Sequence, residues 1–345
     1  MPLVPRRRTV AVILVAALVC AALALGARSR PAAISAATRT IVGTGVTDMV
    51  RTPWYGMRVV DQSVVFRAAS PRGDDPAIPA RGGILVDLDA GTILWQENAH
   101  AQLPPASTAK ILTALVALEN FRPSRPVTIT DAALHQDYDE TKMGIVAGQT
   151  YTVRELLTGM LMVSGNDAAT AVAEDTVGLD RFVAAMNAQV AALGLHDSHF
   201  TTPVGLQDPE QYTSAYDLAV ISAVAVQHFP LFAQIVATPA TTLAATATHP
   251  AFDLQSINLL LSIYPFAVGI KPGWTGDAGH CEVGMAVREG HRLLSVLLNA
   301  PYSYGQTRHL LDWGFVREGL PTTLPTPTPA PTPAPAPSPS PSRHG

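Results

Sequence analysis

The chain of 345 residues is 48% hydrophobic and only 14% charged, which is enough apolar material for one large core with tails outside it. Its formal net charge of −4 and pI of about 6.2 give no basic field, so nucleic acid is excluded as an expected partner. Of its two cysteines, Cys20 lies in the N-terminal segment, and Cys281 is expected to be a small buried residue. An intrachain disulfide in the folded part is therefore not expected.

Residues 1–26 have the pattern of an export segment. Three arginines at 6–8 precede eighteen uncharged residues at 9–26, as in the charged and apolar regions of a signal peptide. This apolar stretch is long for a signal peptide and near the lower limit for a membrane span, so a cleaved signal and a retained membrane anchor both stay open. We expect an extracytoplasmic protein, secreted or held at the outer face of the membrane or in the cell wall.

Residues 27–80 show no sustained period and are predicted to be a spacer or loosely attached arm. The domain is predicted at 81–318. Strands are predicted at 83–89 and 92–97, joined by an Asp-Ala-Gly turn. Helices are predicted from 107, from 152, and over 168–177, 182–193 and 215–226. Further strands follow at 266–271, 280–287 and 292–298, and a last helix at 302–316. Strands that enclose a block of helices indicate an α+β or layered α/β domain whose sheet uses both chain ends.

The C-terminal segment, residues 319–345, is predicted to be a disordered tail. Between residues 321 and 342 it has 10 prolines interleaved with Thr, Ala and Ser, a composition that cannot pack a core and favours an extended chain. In an exported protein such a tail is interpreted as a wall-threading or O-glycosylated stalk, with a recognition motif as the alternative.

Ser107 and Lys110 are the first candidate catalytic residues. Pro104 and Pro105 disfavour helix before them and an apolar run follows, so a helix should begin at about Ser107. Residues three apart share a helical face, which brings the amine within reach of the hydroxyl, where the helix dipole also stabilises an oxyanion. Of the 23 basic residues only three are lysine, and since arginine keeps its proton, a base has to be lysine. The pair indicates nucleophilic catalysis.

Two further motifs follow in order. Ser-Gly-Asn at 164–166 falls at a break between predicted helices, and Lys-Pro-Gly at 271–273 ends a predicted strand. Together with Ser-Thr-Ala-Lys at 107–110 and their flanks, they resemble the D-alanyl-D-alanine carboxypeptidases of the low-molecular-mass penicillin-binding type, peptidase family S11. The resemblance covers roughly residues 81–316. It implies a β-lactamase/transpeptidase-like α+β fold with a mostly antiparallel sheet, flanking helices and a helical subdomain.

The resemblance also assigns roles at the site. It implies that Ser107 is the nucleophile, that Lys110 is the base, and that Ser164 relays a proton to the departing D-alanine. Asn166 would contact the substrate peptide, and Lys271 would attract the terminal carboxylate of a peptidoglycan stem peptide ending in D-Ala-D-Ala. β-Lactam antibiotics are expected ligands, and no cofactor or metal is expected.

The third motif departs from the family at Pro272, where the family usually has Thr or Ser. Proline removes a hydroxyl that helps to bind the carboxylate and also removes a backbone N–H, which only an edge strand tolerates. Thr275 shares the strand face of Lys271 and Gly273 and is a candidate to supply the hydroxyl. The N–H of Trp274 would join that of Ser107 in the oxyanion hole. Gly273 would let the substrate lie against the strand.

Alternatives remain open at this point. Pro272 and the proline-rich tail would also suit a catalytically impaired wall-binding homologue. A serine β-lactamase shares the fold and the first step, but the Glu-x-x-Leu-Asn element of class A enzymes is not found between 166 and 271. A D,D-endopeptidase or a transferase would use the same acyl-enzyme.

Overall fold

The computed structural model describes residues 57–60, 64–68, 74–134 and 140–323. The predicted signal or anchor segment and the proline-rich stretch at 324–345 lie outside the described residues. Everything below concerns the described residues.

One six-stranded sheet organises the described chain. Its strands are β1 Arg67–Ala68, β2 Gly82–Asp87, β3 Thr92–Glu97, β8 Ala267–Thr275, β9 Gly279–Arg288 and β10 His291–Leu298. Their order in the sheet is β1-β3-β2-β10-β9-β8, antiparallel throughout except for the parallel pair β1 and β3. Strands from both chain ends meet at the centre, where β10 pairs with β2. The predicted α+β class is confirmed.

The helices fill the middle of the chain and its C-terminus. After a 3₁₀ turn at Ala106–Ala109, they are α1 Lys110–Asn120, α2 Val153–Met162, α3 Asn166–Val177, α4 Leu179–Ala192, α5 Ala215–His228, α6 Pro230–Val236, α7 Leu260–Ile263 and α8 Ser303–Arg317. A short 3₁₀ turn lies at Asp131–Leu134. The helix predicted from about Ser107 thus starts as a 3₁₀ turn and becomes α-helical at Lys110.

Alternation along the strands places a hydrophobic layer on each face of the sheet. Ile84 and Val86 of β2 join the large core formed with the helical block, while Leu85 joins the smaller core against Leu310 and Phe315 of α8. All six residues of β2 are buried, as expected for a central strand that is covered on both faces.

Side-chain caps set the helix starts that the sequence indicates. The Thr152 hydroxyl accepts the N–H of Glu155, and the Glu155 carboxylate accepts the N–H of Thr152, which forms a capping box. Ser214 caps α5 by accepting the N–H of Asp217. Pro230 begins α6, where its missing N–H costs nothing.

Several short elements are not predicted from the sequence. They are the two-stranded sheets β4 Pro126–Thr128 with β5 Thr150–Thr152 and β6 Ala240–Leu243 with β7 Phe252–Gln255, together with α6 and α7. Each has only three to seven residues, so none is long enough to show a hydrophobic period.

Part of the predicted spacer at 27–80 is packed structure, which corrects the expectation of a loose arm. The N–H of Val60 donates to Gln189 Oε1 at 2.7 Å, and Gln189 Nε2 donates back to the Val60 carbonyl at 2.8 Å. Val60 and Phe66 are buried in the main core. β1 adds a strand at the sheet edge. These contacts are made by single residues, so no repeating pattern of apolar residues marks them in the sequence.

The predicted tail also begins with ordered contacts. The carbonyl of Pro321 accepts from Arg288 Nη1 at 2.7 Å. The carboxylate of Asp312 accepts the N–H of Thr323 and the hydroxyls of Thr322 and Thr323. Residues 321–323 therefore pack against the domain.

Within the described ranges, no single helix has both the length and the apolar character needed to cross a membrane. Helices α5 and α6 reach that length and composition only as a pair, and the pair bends by 109° at its break.

Candidate active site

Ser107 and Lys110 meet at the start of α1. Lys110 Nζ lies 3.0 Å from Ser107 Oγ and donates to the carbonyl of Val204 at 2.7 Å. Lys110 is completely buried, whereas Ser107 is partly exposed. Ala106, just before the nucleophile, has a φ of 49°, an uncommon value for a residue with a side chain. The backbone thus turns the serine hydroxyl onto the amine and leaves it open to solvent.

The surroundings of the Lys110 amine disfavour its charged form. Burial lowers its pKa well below the ordinary value, and the positive charge of Lys271 lowers it further. The negative charges of Glu140 and Asp167 act in the opposite direction. A neutral amine at hydrogen-bond distance from a hydroxyl can accept its proton, which an ordinary lysine near pH 7 cannot.

Strand β8 runs directly past the Ser107 turn. A methyl group at Gly273 would lie 2.8 Å from Ser107 N and 3.0 Å from the Ala106 Cβ, closer than side chains tolerate. On the other side of the turn, a methyl group at Gly205 would lie 1.8 Å from the Ala106 carbonyl oxygen. The turn that carries the nucleophile is therefore held between two backbones that approach closely because both residues are glycine.

Lys271 lies on β8 with its side chain completely buried. Its Nζ donates to the carbonyl of Pro272 at 2.9 Å. Burial lowers the pKa of Lys271 to about 7, and the charge of Glu282 acts in the opposite direction. Because β8 is the last strand of the sheet, Pro272 interrupts no ladder beyond it, as the sequence predicts for an edge strand.

Ser164 and Asn166 form the turn between α2 and α3. Ser164 is buried with a left-handed φ of 59°, a strained conformation that such turns at functional sites often hold. Asn166 Nδ2 donates to Glu140 Oε2 at 2.6 Å, and its N–H donates to the carbonyl of Thr141 at 2.8 Å. The hydroxyl of Thr141 in turn donates to the carbonyl of Ser164. The segment at 140–141 is thus fixed onto this motif.

Asp167 fixes the next residues of the same loop in place. Its carboxylate accepts the N–H groups of Met143, Gly144 and Ile145 at 2.7 to 3.2 Å. These bonds tie the loop at 143–145 to the first turn of α3, where a negative charge is also favoured by the helix dipole.

Trp274 and Thr275 lie at the end of β8. The Trp274 side chain is 63% exposed, so it does not belong to the core. Thr275 Oγ1 accepts the N–H of Ala278 at 3.1 Å, which leaves its hydroxyl hydrogen free to donate. Backbone groups alternate in direction along a strand, so the Trp274 N–H shares the open edge with residue 272.

The structure brings the three motifs together. Ser107 contacts Lys110 and Gly273 packs on the Ser107 backbone. Lys271 and the residues beside Asn166 act electrostatically on Lys110. Sequence reasoning missed Glu140, the hydrogen bonds of Asp167 to the loop at 143–145, and the Val204 carbonyl. Their positions depend on how loops fold over the helix start, which no local pattern signals.

One possible metal-ligand group occurs among the described residues, and it lies outside this site. Ligand atoms of Asp87, His291 and Glu318 fall within 4.8 Å of one another. Asp87 Oδ1 already accepts the N–H groups of Asp89 and Ala90, and His291 Nδ1 lies 3.8 Å from Glu318 Oε2. Contacts within the protein therefore account for the grouping.

Comparison with known proteins gives matches over most of the chain. Residues 68–302 match the profile of a family described as D-alanyl-D-alanine carboxypeptidase. The D-alanyl-D-alanine carboxypeptidase DacB2 of Mycobacterium tuberculosis is 39% identical over 252 residues, which are 70% of this chain and 84% of that protein. DacF of Bacillus subtilis is 30% identical, over 71% of this chain and 64% of its own length. The crystal structure of a Streptomyces DD-transpeptidase superposes with a TM-score of 0.65 at 30% identity, over 71% of this chain and 100% of that one.

Proposed function

The chain belongs to the family of D-alanyl-D-alanine carboxypeptidases, serine enzymes that act on peptidoglycan peptides, and we propose that it removes the terminal D-alanine through an acyl-enzyme on Ser107. The observation that carries this proposal is the 3.0 Å contact between Ser107 Oγ and the buried amine of Lys110. Since the pKa of that amine is lowered well below its ordinary value, it is free to take the serine proton.

Acylation then proceeds by addition of Ser107 Oγ to the carbonyl, followed by loss of the amine. Lys110 Nζ takes the proton of Ser107 as Oγ attacks the carbonyl carbon between the two D-alanines. The negative oxygen that forms is held by the N–H groups of Ser107 and Trp274. When the C–N bond breaks, the proton that Lys110 took from Ser107 passes through Ser164 to the leaving nitrogen, and free D-alanine departs. Water then attacks the ester, its proton returns to Ser107, and the shortened peptide leaves.

Substrate recognition uses the open edge of β8. The cationic form of Lys271 binds the terminal carboxylate, Asn166 contacts the peptide, and the glycine at 273 lets the peptide lie along the strand. The exposed face of Trp274 packs on the stem, and the Thr275 hydroxyl takes the place of the one that Pro272 lacks. β-Lactams carry a carboxylate next to a reactive carbonyl and acylate the same serine.

The substrate places the enzyme outside the cytoplasm. Residues 1–26 supply the export signal, cleaved or retained as a membrane anchor, and the proline-rich tail spans wall material. Residues 81–318 carry the catalytic activity, with the packed part of 57–80 bound to them.

The experiment is an assay of the full chain and of Ser107→Ala on a synthetic stem peptide ending in D-Ala-D-Ala, alongside intact-protein mass after benzylpenicillin. We expect D-alanine release and a lasting penicilloyl adduct for the wild type, and neither for the variant. The shortened peptide as the co-product identifies hydrolysis rather than transfer to an amine. An unmodified wild type that leaves both compounds intact would instead support the catalytically impaired homologue, and rapid loss of penicillin without an adduct would support a β-lactamase.

A further inference from the structure

Glu140 is an acidic residue at the candidate site that the proposed mechanism does not use. It lies in the loop before the Ser-Gly-Asn motif at 164–166, and its side chain is partly buried. Its Oε2 accepts a hydrogen bond from Asn166 Nδ2 at 2.6 Å, which is short, as expected when the acceptor is charged. Asn166 is the residue expected to contact the substrate peptide, so a carboxylate bonded to its side chain calls for an explanation.

The position of Glu140 is fixed by the backbone beside it. The N–H of Asn166 donates to the carbonyl of Thr141 at 2.8 Å, and the Thr141 hydroxyl donates to the carbonyl of Ser164 at 2.8 Å. The same loop passes close to the middle residue of the motif, because a methyl group at Gly165 would lie 2.9 Å from a backbone nitrogen of the loop. The carboxylate is therefore placed against the Asn166 amide by contacts that do not involve the carboxylate itself.

A carboxylate determines which way round the neighbouring amide lies. Its oxygens only accept hydrogen bonds, so the end of the Asn166 side chain that faces Glu140 has to be the NH₂ group. The other end, Oδ1, is buried and has no hydrogen-bond partner among the described residues. Leaving a buried acceptor without a partner costs free energy, and a donor from a bound substrate would remove that cost.

Asn166 lies beside the base of the reaction. Helix α1, which begins at Lys110, packs against both α2 and α3, the two helices that the motif joins. Glu140, which bonds to Asn166, and Asp167, which follows it, both act on Lys110 through their charge. An amide of fixed orientation at this place can recognise a peptide group, because it offers a donor and an acceptor in defined positions.

We propose that Glu140 is a positioning residue that fixes the orientation of the Asn166 amide, so that Asn166 recognises the peptide group on the amino side of the penultimate D-alanine. This inference rests on the proposed function. It names the feature by which the site selects its acyl donor: an amide next to the reacting residue, in addition to the carbonyl that is attacked and the terminal carboxylate.

The effect of Glu140 on the base has the opposite sign to its effect on recognition. Its charge raises the pKa of Lys110, as does that of Asp167, against the effects of burial and of Lys271. Removing the carboxylate therefore lowers the pKa of Lys110 further and enlarges the neutral fraction of the base. A slower reaction of a Glu140 variant thus cannot come from a protonated base.

The test compares full-length wild type, Glu140→Met and the control Thr141→Val by intact-protein mass with two β-lactam probes. Benzylpenicillin carries a side-chain amide in place of the peptide group, and penicillanic acid has the same fused rings and carboxylate without a side chain. For Glu140→Met we expect acylation by benzylpenicillin to fall about tenfold and acylation by penicillanic acid to change by less than about twofold. Thr141→Val removes the hydroxyl that ties the same loop to Ser164 and should keep the wild-type ratio of the two rates.

A double-mutant cycle shows whether Glu140 acts through Asn166. In an Asn166→Ala background, Glu140→Met should leave the ratio of the two acylation rates unchanged, because there is no amide to orient. Glu140→Gln can donate as well as accept, so it allows both orientations of Asn166 and should give a ratio between those of wild type and Glu140→Met. If Glu140→Met does not fold, Glu140→Gln serves for the same comparison.

Equal losses with both probes would show a structural role and overturn the proposal. A change of ratio that persists in the Asn166→Ala background would show that Glu140 does not act through Asn166, which also overturns it. A wild type that neither probe acylates overturns the proposed function itself. A wild type that is acylated, with a Glu140→Met variant of unchanged ratio, overturns the role of Glu140 alone.

Discussion

At the scale of single residues, the site depends on lysine, a residue type that is rare in the rest of the chain. Of 23 basic residues only three are lysine, and Lys110 and Lys271 are both completely buried. Burial without a paired charge favours the neutral amine, and Lys271 lowers the pKa of Lys110 further by its own charge. The two buried amines lower the free energy of unfolding, because an apolar side chain at either position would avoid the desolvation of a charged group. These positions therefore favour reactivity over stability.

Lys110→Met tests this trade between stability and reactivity. In the unfolded chain the amine keeps a pKa near 10.4, whereas burial lowers it in the folded enzyme. The unfolded state thus binds more protons below that value, and wild-type stability rises with pH over this interval. The variant lacks the group, so it should be more stable than wild type in urea at pH 7, with a difference that narrows by pH 9.5.

The same variant should lose acylation by benzylpenicillin at least about 10²-fold, the usual contribution of a positioned base. Intact-protein mass measures this loss. A stability difference that stays constant with pH, or a wild-type acylation rate, would contradict the assignment of a neutral Lys110.

At the scale of elements, the close approach of β8 to the start of α1 creates the site. Each element carries one part of the chemistry: the helix start holds Ser107, and the strand holds Lys271. Their spacing is set by Gly273, since even one methyl group there would lie 2.8 Å from Ser107 N. The open edge of β8 and the Ser107 hydroxyl therefore keep their spacing only while residue 273 has no side chain.

Gly273→Ala should push β8 away from the turn. We expect a loss of about 1–3 kcal/mol in the free energy of unfolding from overpacking and a fall in acylation of at least about tenfold, since small misplacements of reacting groups are costly. Gly276→Ala is the matched control, because its methyl group would meet only Gln207 Nε2, at 3.6 Å. Equal rates for the two variants, measured with benzylpenicillin, would refute this spacing argument.

The sequence predicts those helices and strands that have a hydrophobic period or a helix-capping residue. The helix predicted from 152, where the structure has a capping box, and the strands predicted at 280–287 and 292–298 agree with the structure to within a few residues. The β6 and β7 hairpin is missed because neither strand exceeds four residues. At the site, motifs identify Ser107 and Lys271 as candidates. The contact from Glu140 to Asn166 is not predictable, because a polar loop carries no signal of where it folds.

At the scale of the whole molecule, the domain extends beyond its predicted limits at both ends. The carbonyl of Pro321 accepts from Arg288, and Val60 exchanges two hydrogen bonds with the buried side chain of Gln189. The described residues 57–60 and 64–68 of this segment therefore pack on the folded domain even though their composition resembles a linker. Backbone groups that a side chain satisfies in the interior are costly to release, so the contact between Val60 and Gln189 contributes to stability.

Gln189→Leu should detach the arm. The Val60 N–H and carbonyl would lose both partners, which costs about 1–3 kcal/mol when such groups stay buried, and amide exchange at Val60 should accelerate. Asn120→Ala is the control, because Asn120 makes the same two-way contact with the backbone of Arg58 at an exposed position. This substitution should cost below about 1 kcal/mol.

Acylation of Ser107 should stay at the wild-type rate in both variants. Urea unfolding, hydrogen exchange and intact-protein mass measure the three quantities. Equal stability losses would mean that the arm is held elsewhere, and slowed acylation would mean that it also orders the site.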